Sequence, residues 1–151
     1  MTDVFISYKR ENEARVLLII EGLRSAGLSV WRDLDTPIGQ VWRQATSEQL
    51  ENAKCVIVVW SEMSVGPAGE FVHDEAKRGK ARGVLIPVRI DRITEPLGFG
   101  ELQSLDLVDW SGDVGDLRFQ NLVAAVKAVV AGKPRPRPMT PSRRARLLAY
   151  V

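Results

Sequence analysis

A glutamate preceded by an aromatic residue four positions earlier is the first candidate for chemistry in this sequence. The pair is Phe71 and Glu75, and a spacing of four places both side chains on one face of a helix. Val72 and Ala76 lie on the adjacent face, where they can pack against a sheet. A carboxylate beside a ribose can stabilise an oxocarbenium ion as a glycosidic bond breaks. The competing interpretation is that Glu75 is a solvated charge, as most helix glutamates are.

A second group of candidates follows the apolar run at residues 4–6. It combines one hydroxyl, one aromatic ring and two cations, namely Ser7, Tyr8, Lys9 and Arg10. Together they form a cationic and aromatic set directly after the first predicted strand. Two plainer interpretations stay open: Ser7 bonds backbone at a strand end, and Lys9 and Arg10 are solvated cations.

The elements that must position these residues alternate between two hydrophobic periodicities. Short β-rich runs occupy residues 4–8, 28–31, 55–60, 84–90 and 105–110, and helical stripes occupy residues 11–26, 40–53, 70–82 and 116–131. Residues 55–60 are apolar at every position, which is typical of a parallel strand covered on both faces. Right-handed connections then predict a flavodoxin-like, doubly wound five-stranded sheet of order 2-1-3-4-5, with helices on both faces. Pro87 is predicted at the entry to the paired part of the fourth strand, residues 88–90.

Ligands of such sheets bind beyond the carboxyl ends of the strands, where the strand order reverses. That rule places the segments after strands 1, 2 and 3 around one crevice: residues 7–10, 32–39 and 61–75. The segments at 32–39 and 61–69 are predicted to be loops, because each contains proline and glycine.

Charge and composition exclude several classes of function. Residues 1–131 carry 15 basic and 19 acidic side chains, a balance of −4, and residues 132–151 carry six basic side chains and no acidic one. An acidic body does not predict a nucleic-acid-binding fold. Cys55 and His73 are the only residues of their types, which excludes an internal disulfide and a His/Cys zinc site. Cys55 is interpreted as a core residue, and His73 as an exposed, non-catalytic one.

Motif searches exclude further classes. The sequence contains neither a GxGxxG nor a GxxxxGK[ST] phosphate-binding loop. A phosphoacceptor site needs acidic residues after strand 1, and a flavin site needs a turn rich in glycine and hydroxyl residues there; Lys9 and Arg10 satisfy neither. Trp31, Trp42, Trp60 and Trp110 are interpreted as packing residues rather than stacking platforms.

Five segments in order resemble a Toll/interleukin-1 receptor (TIR) domain, and the bacterial ones most, across residues 2–131. They are the first-strand box at residues 4–9, the second strand and BB loop at 27–39, the third strand and its serine at 56–61, the WxxxE-like segment at 71–76, and the fourth-strand segment at 86–91. Each segment is weakly specific alone, whereas five in order at this spacing are specific.

The resemblance implies an enzyme that cleaves NAD+ to nicotinamide and ADP-ribose, or to a cyclic ADP-ribose isomer. Glu75 is then the catalytic residue. The substrate-binding residues are Ser7, Tyr8, Lys9, Arg10, Asp33 and Phe71. Phe71 stands where the family usually has tryptophan, which keeps an aromatic wall and loses the indole N–H. No cofactor is implied, because NAD+ is the substrate, and a single carboxylate suffices because nicotinamide leaves without protonation.

The resemblance also implies self-association, since the BB loop of a neighbouring protomer completes the site in this family. The contact residues would be Asp35, Pro37, Ile38, Gly39 and Trp42. The expected setting is cytoplasmic, in bacterial defence or signalling. The alternative is a non-catalytic module that recruits other TIR domains, as an adaptor or a mimic of host signalling.

Two regions are predicted, a TIR domain at residues 1–131 and a basic, Pro/Arg-rich linker at 132–151. Three arginines, Arg143, Arg144 and Arg146, precede the apolar residues 147–151. Arginines before an apolar run suit the cytoplasmic flank of a membrane span. We therefore expect a sensor domain or a membrane span beyond Val151.

Overall fold

A computed structural model describes residues 2–32, 42–100 and 102–138, in which strands alternate with helices. The strands are β1 (Val4–Ser7), β2 (Val30–Trp31), β3 (Cys55–Trp60), β4 (Leu85–Arg89) and β5 (Leu105–Asp106). The helices are α1 (Glu13–Ser25), α2 (Trp42–Asn52), α3 (Glu62–Val65), α4 (Glu70–Ala81) and α5 (Leu117–Val130), with short 3-10 turns at Arg10–Asn12 and Pro67–Gly69.

The five strands form one parallel sheet of order β2-β1-β3-β4-β5. This confirms the predicted doubly wound α/β fold. The strand order reverses between β1 and β3, which pair directly with Ser7 opposite Val58. The carboxyl ends of these two strands therefore open at the same edge of the sheet.

The core lies on both faces of the sheet. Val4 and Ile6 face one hydrophobic cluster with α1 and α5, whereas Phe5 faces the other with residues of α2 and α4. All six residues of β3 are buried, which confirms that this strand is covered on both faces. Because side chains alternate along β1, Ser7 points to the same face as Phe5, the face that α4 covers.

Pro87 lies inside β4, so its predicted position at the entry to the paired part is wrong. β4 pairs with β3 from Leu85 onward, and Pro87 stands opposite Val58. The amide of Ile90 bonds Trp60 of β3, whereas the carbonyl of Arg89 accepts from Leu107 on the other side. Along a strand, the backbone groups of successive residues point alternately to the two neighbouring strands. The nitrogen of Pro87 therefore points to the β5 side, at a level that lies before the start of β5 at Leu105. The missing proline N–H therefore costs no bond to β3.

The segment at residues 61–69, predicted to be a loop, contains α3 and a 3-10 turn. Ser61 starts α3 by a reciprocal capping arrangement: its hydroxyl accepts from the Ser64 amide at 3.1 Å, and its own amide donates to the Ser64 hydroxyl at 2.7 Å. Two serines three positions apart thus satisfy the donors that a short helix leaves open.

The fifth strand is shorter than the predicted residues 105–110. The strand ends at Asp106, whose carboxylate accepts a hydrogen bond from the Val108 amide. The Trp110 amide donates to the Leu107 carbonyl. Asp109 adopts a φ of 65°. These local bonds turn the chain away from the sheet, because short acidic side chains compete with strand pairing.

Gly69 allows α3 and α4 to approach closely. A Cβ atom at this position would meet the Ser64 carbonyl and lie 2.7 Å from Ser64 Cα. We expect Gly69→Ala to lower the free energy of unfolding by about 1–3 kcal/mol, because backbone atoms cannot yield as a flexible side chain can. Urea denaturation measures the change. Gly100→Ala is the matched control, since nothing lies within 4 Å of its added Cβ, and an equal loss in both variants would contradict the prediction.

Cys55 is fully buried at the start of β3, which confirms it as a core residue. Burial raises the pKa of its thiol to about 12. Little thiolate then exists at pH 8, so we expect a thiol reagent such as DTNB to react at least about 100-fold more slowly with the native protein than with the unfolded one. Rapid modification of folded protein would contradict this.

Beyond α5, residues 132–138 form no helix or strand. Arg135 donates to the carbonyl of Leu85, so this segment lies against the beginning of β4. Among the described residues, no helix is both long and apolar enough for a membrane span. The predicted run at residues 143–151 lies outside the described part of the chain.

Candidate functional site

Ser7 and Glu75 meet at the carboxyl edge of the sheet. The Ser7 hydroxyl donates to Glu75 Oε1 at 2.6 Å, and the two residues are 1% and 4% exposed. Ser7 is the last residue of β1, and Glu75 lies in the second turn of α4. The structure thus brings together two residues that were proposed separately from the sequence.

The sequence of α4 explains why Glu75 points inward. Val72, Ala76 and Gly79 are buried with it on one stripe, spaced as a helix face requires. A Cβ at Gly79 would lie 2.8 Å from Val56 Cβ, so the glycine lets the helix rest directly on β3. The close approach holds the Glu75 carboxylate beside the end of β1.

A buried carboxylate in this position can act on developing positive charge. Electrostatic interactions are stronger away from bulk water, and the Ser7 hydroxyl fixes the orientation of Oε1 without neutralising the group. The geometry suits stabilisation of a cationic transition state. Among residues 2–32, 42–100 and 102–138, no group of three or more His, Cys, Asp and Glu side chains could hold a metal ion.

Tyr8, Lys9 and Arg10 follow Ser7 at the carboxyl end of β1, and we call residues 8–10 the rim of the site. Tyr8 is half-buried and packs against the hydrophobic cluster of the α1 side. Lys9 Nζ lies 3.8 Å from the exposed carboxylate of Glu11, and Arg10 is exposed. An exposed ion pair contributes little free energy, so Lys9 can exchange Glu11 for an anionic ligand at small cost.

A buried polar cluster behind this rim was missed in the sequence. The Ser61 hydroxyl donates to Asn12 Oδ1 at 2.6 Å, and the Ser64 hydroxyl donates to the Val59 carbonyl at 2.9 Å. Asn12, Ser61 and Ser64 are all buried. The available signal was the Ser-x-x-Ser pattern directly after an apolar strand, which indicates a helix cap.

His73 is not exposed, so that part of its interpretation is wrong. Its side chain is half-buried, with Nε2 at 2.7 Å from the Ser64 carbonyl and its ring packed edge-on against Trp60 at 5.4 Å. The 3-10 turn at Pro67–Gly69 folds the chain so that α4 runs beside α3, which brings His73 to Ser64. Hydrophobic periodicity describes one element at a time, so it could not predict this contact between residues of two different helices.

Phe71 is exposed, whereas Glu75 four positions later is buried. Phe71 is 42% exposed and lines an open cleft of about 1050 Å³ with His73, Asp74 and Lys77. Within the described part of the chain, Glu75 is not in the lining of that cleft. Four residues turn a helix about 40° past a full turn, which is enough to place one side chain inward and the other at the edge.

Asp91 anchors the start of α3 from the β4 side. Its carboxylate accepts from the Glu62 amide at 2.9 Å and from Arg15 at 2.8 Å. The hydrogen bond from the Arg15 guanidinium holds the pKa of Asp91 below its usual value. The ion pair therefore keeps a charged carboxylate at the helix N-terminus, where a negative charge is favourable.

The predicted BB-loop residues are not among those that the structure describes. Asp33, Asp35, Pro37, Ile38 and Gly39 lie outside the described residues, as does the side chain of Trp42, the first residue of α2. The other three tryptophans pack as interpreted: Trp60 is fully buried, Trp31 stacks on Phe5, and Trp110 stacks on Phe119.

Comparison with known proteins yields one family and one fold. Residues 4–123 match the sequence profile of the family described as TIR domain. The fold is similar to the crystal structure of the TIR domain of the Toll-related Receptor TRR-2 from the lower metazoan Hydra magnipapillata, with a TM-score of 0.71 and 22% sequence identity. The match covers 84% of this chain and 99% of that chain. No curated protein matches the sequence significantly.

Proposed function

Because the chain belongs to the TIR domain family, we propose that it cleaves the nicotinamide–ribose bond of NAD+. The products would be nicotinamide and either ADP-ribose or a cyclic ADP-ribose isomer. The observation that carries the proposal is the buried Glu75 carboxylate, held at the carboxyl edge of the sheet by the Ser7 hydroxyl at 2.6 Å.

The reaction needs stabilisation of positive charge on the ribose. As the glycosidic bond breaks, the electron pair leaves with nicotinamide, which is neutral once released, and the ribose becomes oxocarbenium-like. A carboxylate preorganised beside the ribose lowers the energy of that state without itself moving. Water then adds to the anomeric carbon and releases a proton to solvent, which gives ADP-ribose, or an adenine nitrogen of the same molecule attacks that carbon, which gives the cyclic isomer. No general acid is required for the leaving group, so the proposal needs one well-placed glutamate.

The rim residues supply contacts for the rest of the substrate. Lys9 and Arg10 offer two cations for the pyrophosphate, and Tyr8 offers an aromatic edge. Asp33 and Phe71 stay in the proposal as further substrate contacts. NAD+ is the substrate here, and the proposal includes no cofactor.

Activity in this proposal depends on self-association through TIR–TIR contacts in the cytoplasm. The segment that contains Asp35, Pro37, Ile38, Gly39 and Trp42 would complete the site of a neighbouring copy. The specific activity should then rise with protein concentration, as in a defence or signalling protein that is silent as a monomer.

A second candidate function is a non-catalytic interaction module. Glu75 is only 4% exposed, so the Ser7–Glu75 pair would also serve as a buried structural link between β1 and α4. The similarity to the TIR domain of a Toll-related receptor favours the same alternative, in which the domain recruits other TIR domains.

The deciding experiment is incubation with NAD+ at increasing protein concentration and with a crowding agent. Chromatography quantifies nicotinamide, ADP-ribose and cyclic products. Nicotinamide release that rises more than linearly with protein and disappears in Glu75→Ala supports the enzyme. No release at the highest concentration, or equal release in Glu75→Ala, overturns it in favour of the interaction module.

A further inference from the structure

Three side-chain hydrogen bonds, together with one helix cap and short stretches of backbone, form a closed ring that includes the end of β1. Glu75 accepts from Ser7 at 2.6 Å, Asn12 accepts from Ser61 at 2.6 Å, and His73 bonds the Ser64 carbonyl at 2.7 Å. We call this set the polar ring; its members are Ser7, Asn12, Ser61, Ser64, His73 and Glu75.

Short stretches of backbone and one helix cap close the ring. Ser7 leads to Asn12 through the rim residues and the 3-10 turn, where the Asn12 amide bonds the Lys9 carbonyl at 2.8 Å. Ser61 and Ser64 are joined by their reciprocal cap. His73 and Glu75 lie two residues apart on α4. The ring therefore links the cationic rim to the helix that carries the carboxylate.

Burial makes the geometry of the ring well defined. Five of its members are 8% exposed or less, and a buried polar group that loses its partner is left desolvated without a hydrogen bond to compensate. Each link is therefore hard to stretch or break.

The His73 link fixes the imidazole chemically as well as sterically. A carbonyl oxygen only accepts, so Nε2 must carry the proton that is shared with Ser64. The imidazole also packs against the Trp60 ring at an interplanar angle of 88°.

We propose that Asn12 and His73 are positioning residues of the NAD+-cleaving site. Asn12 sets the place of the rim that carries Lys9 and Arg10, and His73 sets the place of the α4 turn that carries Glu75. Neither residue touches the reacting atoms. The proposal rests on the proposed function, because it assigns these two links to binding and to chemistry.

Two pairs of variants test the assignment by the split between KM and kcat. Asn12→Leu removes the acceptor of the Ser61 hydroxyl, and we expect KM for NAD+ to rise about tenfold while kcat changes little. His73→Phe keeps the ring edge and removes the N–H, and we expect kcat to fall about tenfold while KM changes little.

Conservative variants should restore the hydrogen bonds that Asn12→Leu and His73→Phe remove, and with them the kinetic constants. Asn12→Asp keeps an acceptor oxygen for Ser61, and His73→Gln offers an amide N–H to the Ser64 carbonyl. Glu21→Gln, an exposed position on α1, is the control and should leave kcat and KM unchanged. Thermal melting of each variant shows the folded fraction, to which the rates are normalised.

Each outcome decides the proposal. The KM-against-kcat split with rescue by the conservative variants supports it. Unchanged kinetic constants per folded molecule, equal effects on kcat and KM in both variants, or no rescue would overturn it while leaving the NAD+-cleaving function in place. Absence of nicotinamide release from the wild type would overturn the proposed function, and this proposal with it.

Discussion

Replacing Glu75 with glutamine is expected to lower nicotinamide release from NAD+ by about 10²- to 10³-fold, the usual loss when one preorganised electrostatic group is removed. Glutamine keeps an acceptor oxygen for the Ser7 hydroxyl, whose bond to Glu75 is 2.6 Å long. The packing around this buried side chain is therefore preserved. Only the negative charge that would face the developing oxocarbenium ion disappears.

Rates should be measured under conditions where the wild type is assembled and active, with kcat and KM determined separately. We expect the loss in kcat, because the charge acts on the transition state more than on bound substrate. Glu21→Gln is the matched control, since Glu21 is exposed on α1. A Glu75→Gln variant with wild-type kcat would show that this carboxylate has only a structural role.

Ser7→Ala is expected to have the second-largest effect, and on two measurements at once. It removes a donor to a buried carboxylate, and hydrogen bonds to charged groups contribute about 1.5–3 kcal/mol. We expect the free energy of unfolding to fall by that amount. We also expect kcat to fall about tenfold, because Glu75 loses the contact that orients Oε1.

A double-mutant cycle separates the pair from its surroundings. If Ser7 acts through Glu75, Ser7→Ala should lose most of its effect on kcat in a Glu75→Gln background. Ser111→Ala, at an exposed loop position, should change stability by no more than about 0.5 kcal/mol. Additive effects of Ser7→Ala and Glu75→Gln on kcat would contradict a shared role.

Hydrophobic periodicity predicted the architecture well in the segments whose residue pattern matches their burial in the fold. The unbroken apolar run at Cys55–Trp60 indicated a strand covered on both faces, and all six residues are buried. Helical stripes separated by single strands leave right-handed parallel pairing as the one economical topology. The order β2-β1-β3-β4-β5, with every neighbouring pair parallel, confirms the predicted sheet.

Predictions from the local sequence pattern were wrong where contacts with another element decide the structure. Pro87 is tolerated inside β4 because its nitrogen faces the β5 side before β5 begins, which depends on register rather than on composition. The segment after β3 is a different case, because it forms α3 through a local signal, the reciprocal cap of Ser61 and Ser64 within the helix. His73 is half-buried because the Pro67–Gly69 turn brings α4 beside α3.

By itself, the sequence determined the parallel α/β fold and the TIR resemblance, and it singled out Ser7 and Glu75 as candidates on separate elements. Only the tertiary structure decided that these side chains, 68 positions apart, share a buried hydrogen bond. Periodicity states which face a side chain occupies, but not how closely two elements pack. That distance is decided here by Gly79, which lets α4 rest on β3, and by the polar ring, whose buried members hold the arrangement because each lost partner would leave a desolvated polar group.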